Sequence, residues 1–267
     1  MSWTIFRSML QLRRTSLLWY SFGLGLYGWF IVAFFPLIEE NLEYMEIFET
    51  VFTEEMMAIF GAAGLDFGTL GGFMAVEYLG LIWVFIVAAA VITFAAGALG
   101  GAVEDGTMEL TLAQPVSRIQ VAVTRYLALA AYAGVLNLVT VVTIYVPGLL
   151  HGVDVPADAM GLLFLIGWVV TMAIGGFAYA VSAFSSGGGR TIAVSLGVLA
   201  AMWLADVLGN LSERFYWLRE FTLFNYWRPD AVIDHLTVAG EAWAVFGIAA
   251  LSTVVVAVWA FRRRDVV

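Results

Sequence analysis

Few residues in this chain can do chemistry, and the missing types narrow the choice. There are no cysteines, which excludes disulfides, thiol catalysis and cysteine-based zinc sites. The two histidines, His151 and His235, are too few and too far apart to suggest a metal cluster. The sequence holds no H-E-x-x-H zinc motif, no Gly-x-Ser-x-Gly and no nearby Ser/His/Asp grouping. All twelve basic residues are arginine. A P-loop needs a lysine on the nucleotide phosphates, so the chain carries no P-loop ATPase of its own. What remains is one polar stretch, Glu104-Asp105-Gly106-Thr107-Met108-Glu109-Leu110-Thr111-Leu112-Ala113-Gln114-Pro115-Val116-Ser117-Arg118, between two long apolar segments. Its chemistry is conformational. Asp105 is placed to cap a helix starting at Gly106 or Thr107, and Glu104 and Asp105 lie at that helix's positive end. Pro115 ends it after about two turns. Ser117 and Gln120 have capping-box spacing for the next helix. Met108, Leu110 and Leu112 are expected to be exposed on the first helix, where they need something to bury against.

The flanking segments set the context. The chain has 267 residues, is 62% hydrophobic and has a mean hydropathy of +0.93. The apolar residues fall in runs of about twenty, enough to cross a bilayer. They do not alternate as barrel strands do. The reading is an all-α membrane protein with six spans, at 17–38, 73–103, 119–146, 159–184, 191–208 and 242–261. Residues 1–16 read as an interfacial helix, and 17–38 is too long for a signal-peptide core. Residues 39–60 alternate an acidic and an apolar helical face, as an outer amphipathic helix would. A glycine-rich loop, 61–72, follows. Pro147-Gly148 is expected to break the third span, with a loop over His151–Asp158. Residues 210–241 are aromatic and irregular, and read as one or two short helices in the outer leaflet.

Six spans put both termini on one side. Nine arginines (Arg7, Arg13, Arg14, Arg118, Arg125, Arg190, Arg262, Arg263 and Arg264) share that side, and Arg214, Arg219 and Arg228 lie opposite. The positive-inside rule makes the termini cytoplasmic and the localisation the cell membrane. Only four of the twenty-one acids (Glu104, Asp105, Glu109 and Asp265) then fall inside.

Other candidates have simpler readings. Glu77 and Asp206 sit near outer span ends, where solvation accounts for them. Asn137 is placed to hydrogen-bond between helices. Gly97, Gly100, Gly101, Gly175 and Gly176 allow close helix packing. Ser185–Arg190 reads as a glycine turn.

The polar stretch closely resembles the E-x-G-T-x-x-x-x-L-x-x-P-[VI]-S-R signature of ABC-2-type transporter permeases. Glu104, Gly106, Thr107, Leu112, Pro115, Val116, Ser117 and Arg118 match it. Leu223-Phe224-Asn225-Tyr226 with Pro229 is similar to a second region of that family, where Thr222-Leu223 replaces the usual serine-proline. Phe261-Arg262-Arg263-Arg264-Asp265-Val266 is similar to its terminal F-x-R-R-D. The resemblance implies that residues 104–118 form a coupling helix region that docks on a separate ATPase subunit. Glu104, Asp105, Gly106, Thr107, Met108, Leu110, Leu112, Pro115, Ser117 and Arg118 would make that contact. It also implies a homo- or heterodimer of permeases, with ATP and Mg bound by the partner ATPase and no cofactor in this chain. Membrane lipid is an expected partner and nucleic acid is not. Ser-Ser-Gly-Gly-Gly at 185–189 looks like an ATPase signature loop but lacks any nucleotide domain around it. A motor-independent transporter or channel, and an intramembrane enzyme, are the rival readings. The first wants mid-membrane ionisable groups and the second a catalytic set. The apolar spans lean towards amphipathic or lipid-like cargo.

Overall fold

The computed structural model describes residues 2–39, 56–57 and 65–264. Most of the amphipathic segment expected at 39–60, and residues 61–64 of the glycine-rich loop after it, lie outside the described residues.

Helix α1 (Trp3–Leu12) meets α2 (Arg14–Glu39) at a bend on Arg13. Ile5 and Met9, one turn apart, are buried, and α1 packs along the third span. The second span does not run as one helix from residue 73. It begins as α3 (Leu70–Met74), passes through a π-helical turn (Ala75–Leu79), and becomes α4 (Ile82–Ala98) and then α5 (Gly100–Glu104). Glycine makes the π turn possible. The Gly80 amide bonds back to Ala75 O at 2.8 Å, and a Cβ on Gly80 would lie 2.2 Å from that oxygen. Backbone groups freed inside a membrane need new partners. Leu79 O finds one in the Trp227 indole, 2.8 Å away, and Trp227 stacks on Trp83 with centroids 5.0 Å apart.

After α6 (Thr107–Leu112) come α7 (Arg118–His151), α8 (Ala157–Phe184) and α9 (Gly188–Leu211). A 3-10 segment (Glu213–Phe221), α10 (Pro229–His235) and α11 (Gly240–Arg263) complete the order. Pro147 does not break the third span: α7 runs through it to His151 and stops at Gly152, whose φ is +73°. Pro147 and Gly148 are buried. A Cβ on Gly148 would lie 2.3 Å from Val155, so the returning chain packs directly on that last turn and holds it.

No strand occurs among the described residues. Among the described residues, six helices are long and apolar enough to cross a membrane. The fold is that of an all-α integral membrane protein. Apolar burial does not drive helices together in lipid, so packing and polar contacts must do so. Aromatic donors supply several of them. Tyr78 donates to Leu24 O at 3.0 Å, Tyr179 to Ala122 O at 2.7 Å, Trp168 to Ala130 O at 2.9 Å and Tyr126 to Ala250 O at 2.8 Å. Asn137 bridges α7 and α8 as expected, donating to Thr171 Oγ1 at 3.0 Å. A Cβ on Gly167 would meet the Asn137 side chain at 2.6 Å. Gly175 and Gly176 allow similar approaches to Val91 and Thr253.

Candidate functional site

The polar stretch 104–118 folds at the arginine-rich end, between α5 and α7. It is a short helix hung between two clamped corners.

The first corner is the end of the second span. At Leu99 the backbone leaves helical geometry (φ −127°, ψ −67°) and separates α4 from α5. An uninterrupted helix would bond the Gly100 amide to Ala96 O. Here the Ser182 hydroxyl on α8 stands between them. It accepts from Gly100 N at 2.9 Å and donates to Ala96 O at 3.3 Å. Ala98 O takes a guanidinium N–H of Arg125 from α7, and Arg125 also reaches Thr111 Oγ1 at 3.3 Å. Glycine permits the approach: a Cβ on Gly100 would lie 3.0 Å from Ser182 O.

Glu104 extends this corner to α9. Its carboxylate accepts from the Gly188 amide at 2.9 Å, at an N-terminus whose own cap residue, Gly187, makes no side-chain cap. A carboxylate there satisfies an orphan donor and faces the positive end of the helix dipole. The glycine turn at 185–190 gains a reason from this contact. A Cβ on Gly187 would lie 2.8 Å from Glu104 Oε2, so only glycine lets the carboxylate close on the helix end.

Asp105 does not cap α6. Gly106 occupies the N-cap in the left-handed conformation (φ +72°), without a side-chain cap. Such backbone favours glycine, and it turns the chain so that Asp105 ends α5 instead. Thr107 donates to Ala102 O at 3.2 Å, fastening α6 to α5, and Thr111 donates back to Thr107 O at 3.0 Å within α6. Met108 is fully buried, contrary to the expectation of exposure. Leu110 is 73% exposed, and Leu112 is half-buried.

The second corner opens α7. Ser117 Oγ accepts from Gln120 N at 3.1 Å, as the S-x-x-Q spacing predicts. Arg118 donates to the backbone oxygen of Arg264. The Arg264 guanidinium donates to Ala183 O at 3.3 Å, and burial lowers its pKa from the usual arginine range. Two stretches far apart in sequence, 104–118 and 261–264, therefore meet on the end of α8. Pro115 is exposed between the two corners. Arg125 and Ser182 were missed as site residues. Arg125 carried a signal, a charge two turns inside an apolar helix, but it was counted with the surface arginines. Ser182 had none, because its role exists only where α4 breaks beside it.

At the opposite end, Asp206 is buried, not solvated. Its carboxylate accepts from Thr222 Oγ1 at 3.0 Å, Asn210 Nδ2 at 3.1 Å and Arg219 Nε at 3.4 Å. The 3-10 segment folds back on α9 and brings these donors to it. Glu77 is half-buried within the π turn. Arg228 pairs with Asp230 at 2.8 Å, and hydrogen bonding to that carboxylate raises the arginine's pKa. No cluster of three or more His, Cys, Asp or Glu suited to a metal occurs among the described residues.

Six spans, with a short clamped helix hung between the second and third, define a polytopic helical membrane protein. Residues 25–266 match the ABC-2 family transporter proteins, and the chain belongs to that family. No curated protein matches it significantly.

Proposed function

We propose that the chain is the transmembrane permease subunit of an ATP-driven ABC-2-type exporter. In this reading α6 is the coupling helix and the arginine-rich end is cytoplasmic. The observation that carries it is the state of α6. A two-turn helix is marginal alone in water, yet this one is anchored by buried Met108, by Thr107 and Thr111, and by a corner at each end. It holds Leu110 outward at 73% exposure. A rigidly held apolar knob is suited to receive a push from a second protein.

The remaining parts of the reading follow from family membership. ATP and Mg sit on a separate ATPase subunit, and this chain does no chemistry. A second permease, identical or homologous, completes the membrane part. The residues that couple the chain to the ATPase are Glu104, Asp105, Gly106, Thr107, Met108, Leu110, Leu112, Pro115, Ser117 and Arg118. Of these, Leu110 would contact the motor directly, while Glu104, Thr107, Met108, Ser117 and Arg118 would hold the helix in place.

Leu110→Asp tests the reading. The side chain is exposed, so the fold should persist, while an apolar docking contact becomes a charge. The expected result is loss of copurifying ATPase by at least about tenfold, the effect of removing roughly 1.4 kcal/mol of apolar contact. Undiminished ATPase capture with intact transport would refute it.

A further inference from the structure

A groove of about 280 Å³ opens between α8, α9 and α11, away from the corners described above. Its walls include Ile92, Phe177, Leu199, Met202 and Phe246. The end of the 3-10 segment, at Glu220–Thr222, and Tyr226 roof it. The roof is fixed in place, because buried Thr222 donates to Asp206 on α9 at 3.0 Å. Tyr226 donates to Glu220 O at 3.0 Å.

A further observation points to the kind of ligand, and it is charge. Glu220 is the ionisable acid in the lining, and no basic residue shares it. Its neighbour Arg219 is already engaged, by Asp206 at 3.4 Å and by the Tyr216 ring at 5.4 Å. Arg219 lines a different cavity.

We propose that this groove binds a single-chain amphiphile with a cationic head group, its apolar chain lying between α8, α9 and α11 and its head beside Glu220. The apolar walls accept the chain and the lone carboxylate selects the head. The assignment rests on the export reading and deepens it by naming the cargo class and its seat.

The test uses the full chain, without ATPase, in nanodiscs of zwitterionic phosphatidylcholine, with radiolabelled tetradecyltrimethylammonium as probe and empty discs as background. Saturable binding above background is expected. Ala249→Trp, which fills the groove, should abolish it. Glu220→Gln, at an exposed position, should weaken it about fivefold, the effect of one partly solvated charge pair, and remove its salt dependence. Tetradecyl maltoside binding should be the same in Glu220→Gln as in the unaltered chain. Three results would overturn the proposal: no saturable binding, binding indifferent to both substitutions, or equal competition by tetradecyl sulfate, which would make the groove a seat for any lipid chain. Because the ATPase is absent, failure here is separate from failure of Leu110→Asp to release the motor.

Discussion

Removing the Glu104 carboxylate should loosen the start of α9 and leave α4 and α5 intact. Glu104 is the side chain that caps that helix, across eighty-four residues of sequence, through a 2.9 Å bond to Gly188 N. Loss of a capping side chain costs about 1 kcal/mol, with a range of roughly 0.5–2. Glu104 is exposed, so the charge itself adds only a few tenths on top of the bond. Glu104→Ala loses both contributions. Glu104→Gln keeps an oxygen acceptor and loses the charge, so it should cost about a third as much. Hydrogen exchange reads this directly, since 1 kcal/mol of lost protection is about a fivefold faster rate. The Gly188–Thr191 amides should exchange about fivefold faster in Glu104→Ala and less than twofold faster in Glu104→Gln. Amides in the middle of α4 should not change. Equal protection of Gly188–Thr191 in Glu104→Ala and the unaltered chain would refute the capping role. Uniform acceleration across all helices would show that Glu104 supports global stability and not this helix end.

Two other outcomes follow from the same geometry. Ser182→Ala leaves Gly100 N and Ala96 O without their bridge in a buried place. It should cost about 1–3 kcal/mol, seen as a lowered thermal midpoint, whereas Ser182→Thr keeps the hydroxyl and should cost less. Glycines with similarly short clearances should differ by what they meet. Gly72→Ala places a Cβ 1.9 Å from backbone Asp66 O, and Gly97→Ala places one 1.7 Å from the tip of Arg13. Backbone cannot yield as a flexible guanidinium can, so thermal denaturation should show a large loss for Gly72→Ala and a small one for Gly97→Ala.

The spans were legible because a twenty-residue apolar run has few alternatives in a polytopic protein. Ser117 was legible for a local reason: its bond to Gln120 N spans three residues of one helix end. Asn137 was legible because a lone amide inside a span must find a partner on another helix. The failures share a different origin. Asp105 lost the cap of α6 because Gly106 adopted positive φ, which depends on how α5 arrives. Pro147 failed to end α7 because Val155, returning after the turn, packs on Gly148. Asp206 was taken as solvated because two of its three partners, Arg219 and Thr222, lie thirteen and sixteen residues on, beyond any helical spacing. The clamp of Ser182 on the break at Leu99 has no sequence signature. A serine near a span end is common, and the break is visible only once α8 lies against it.

The distribution of burial indicates where a push on α6 would go. Over its most apolar eighteen residues the second span, Ile82–Glu104, is 67% buried, while α9 and α11 are each 22% buried over theirs. A post packed on most sides resists displacement, since interiors are close-packed and transmit strain without deforming. α9 is different. Thr191, Ser195, Leu199, Asp206 and Gly209 are its buried residues, a narrow stripe at helical spacing. Its ends are tied by two carboxylates, Glu104 at the start and Asp206 at the finish. Motion at the 104–118 corner would therefore reach α9 through Glu104 before it strained α4. Ser195 lies seven residues beyond Gly188, about 10 Å along the helix, and there α9 forms a wall of the groove against α8. On the export reading, nucleotide binding by the ATPase should change amphiphile affinity in the unaltered complex. Glu104→Gln should shrink that change while ATPase capture through Leu110 persists. A nucleotide effect of full size in Glu104→Gln would place the transmission elsewhere, with Arg125 and its hold on Ala98 O as the next path between α6 and the spans.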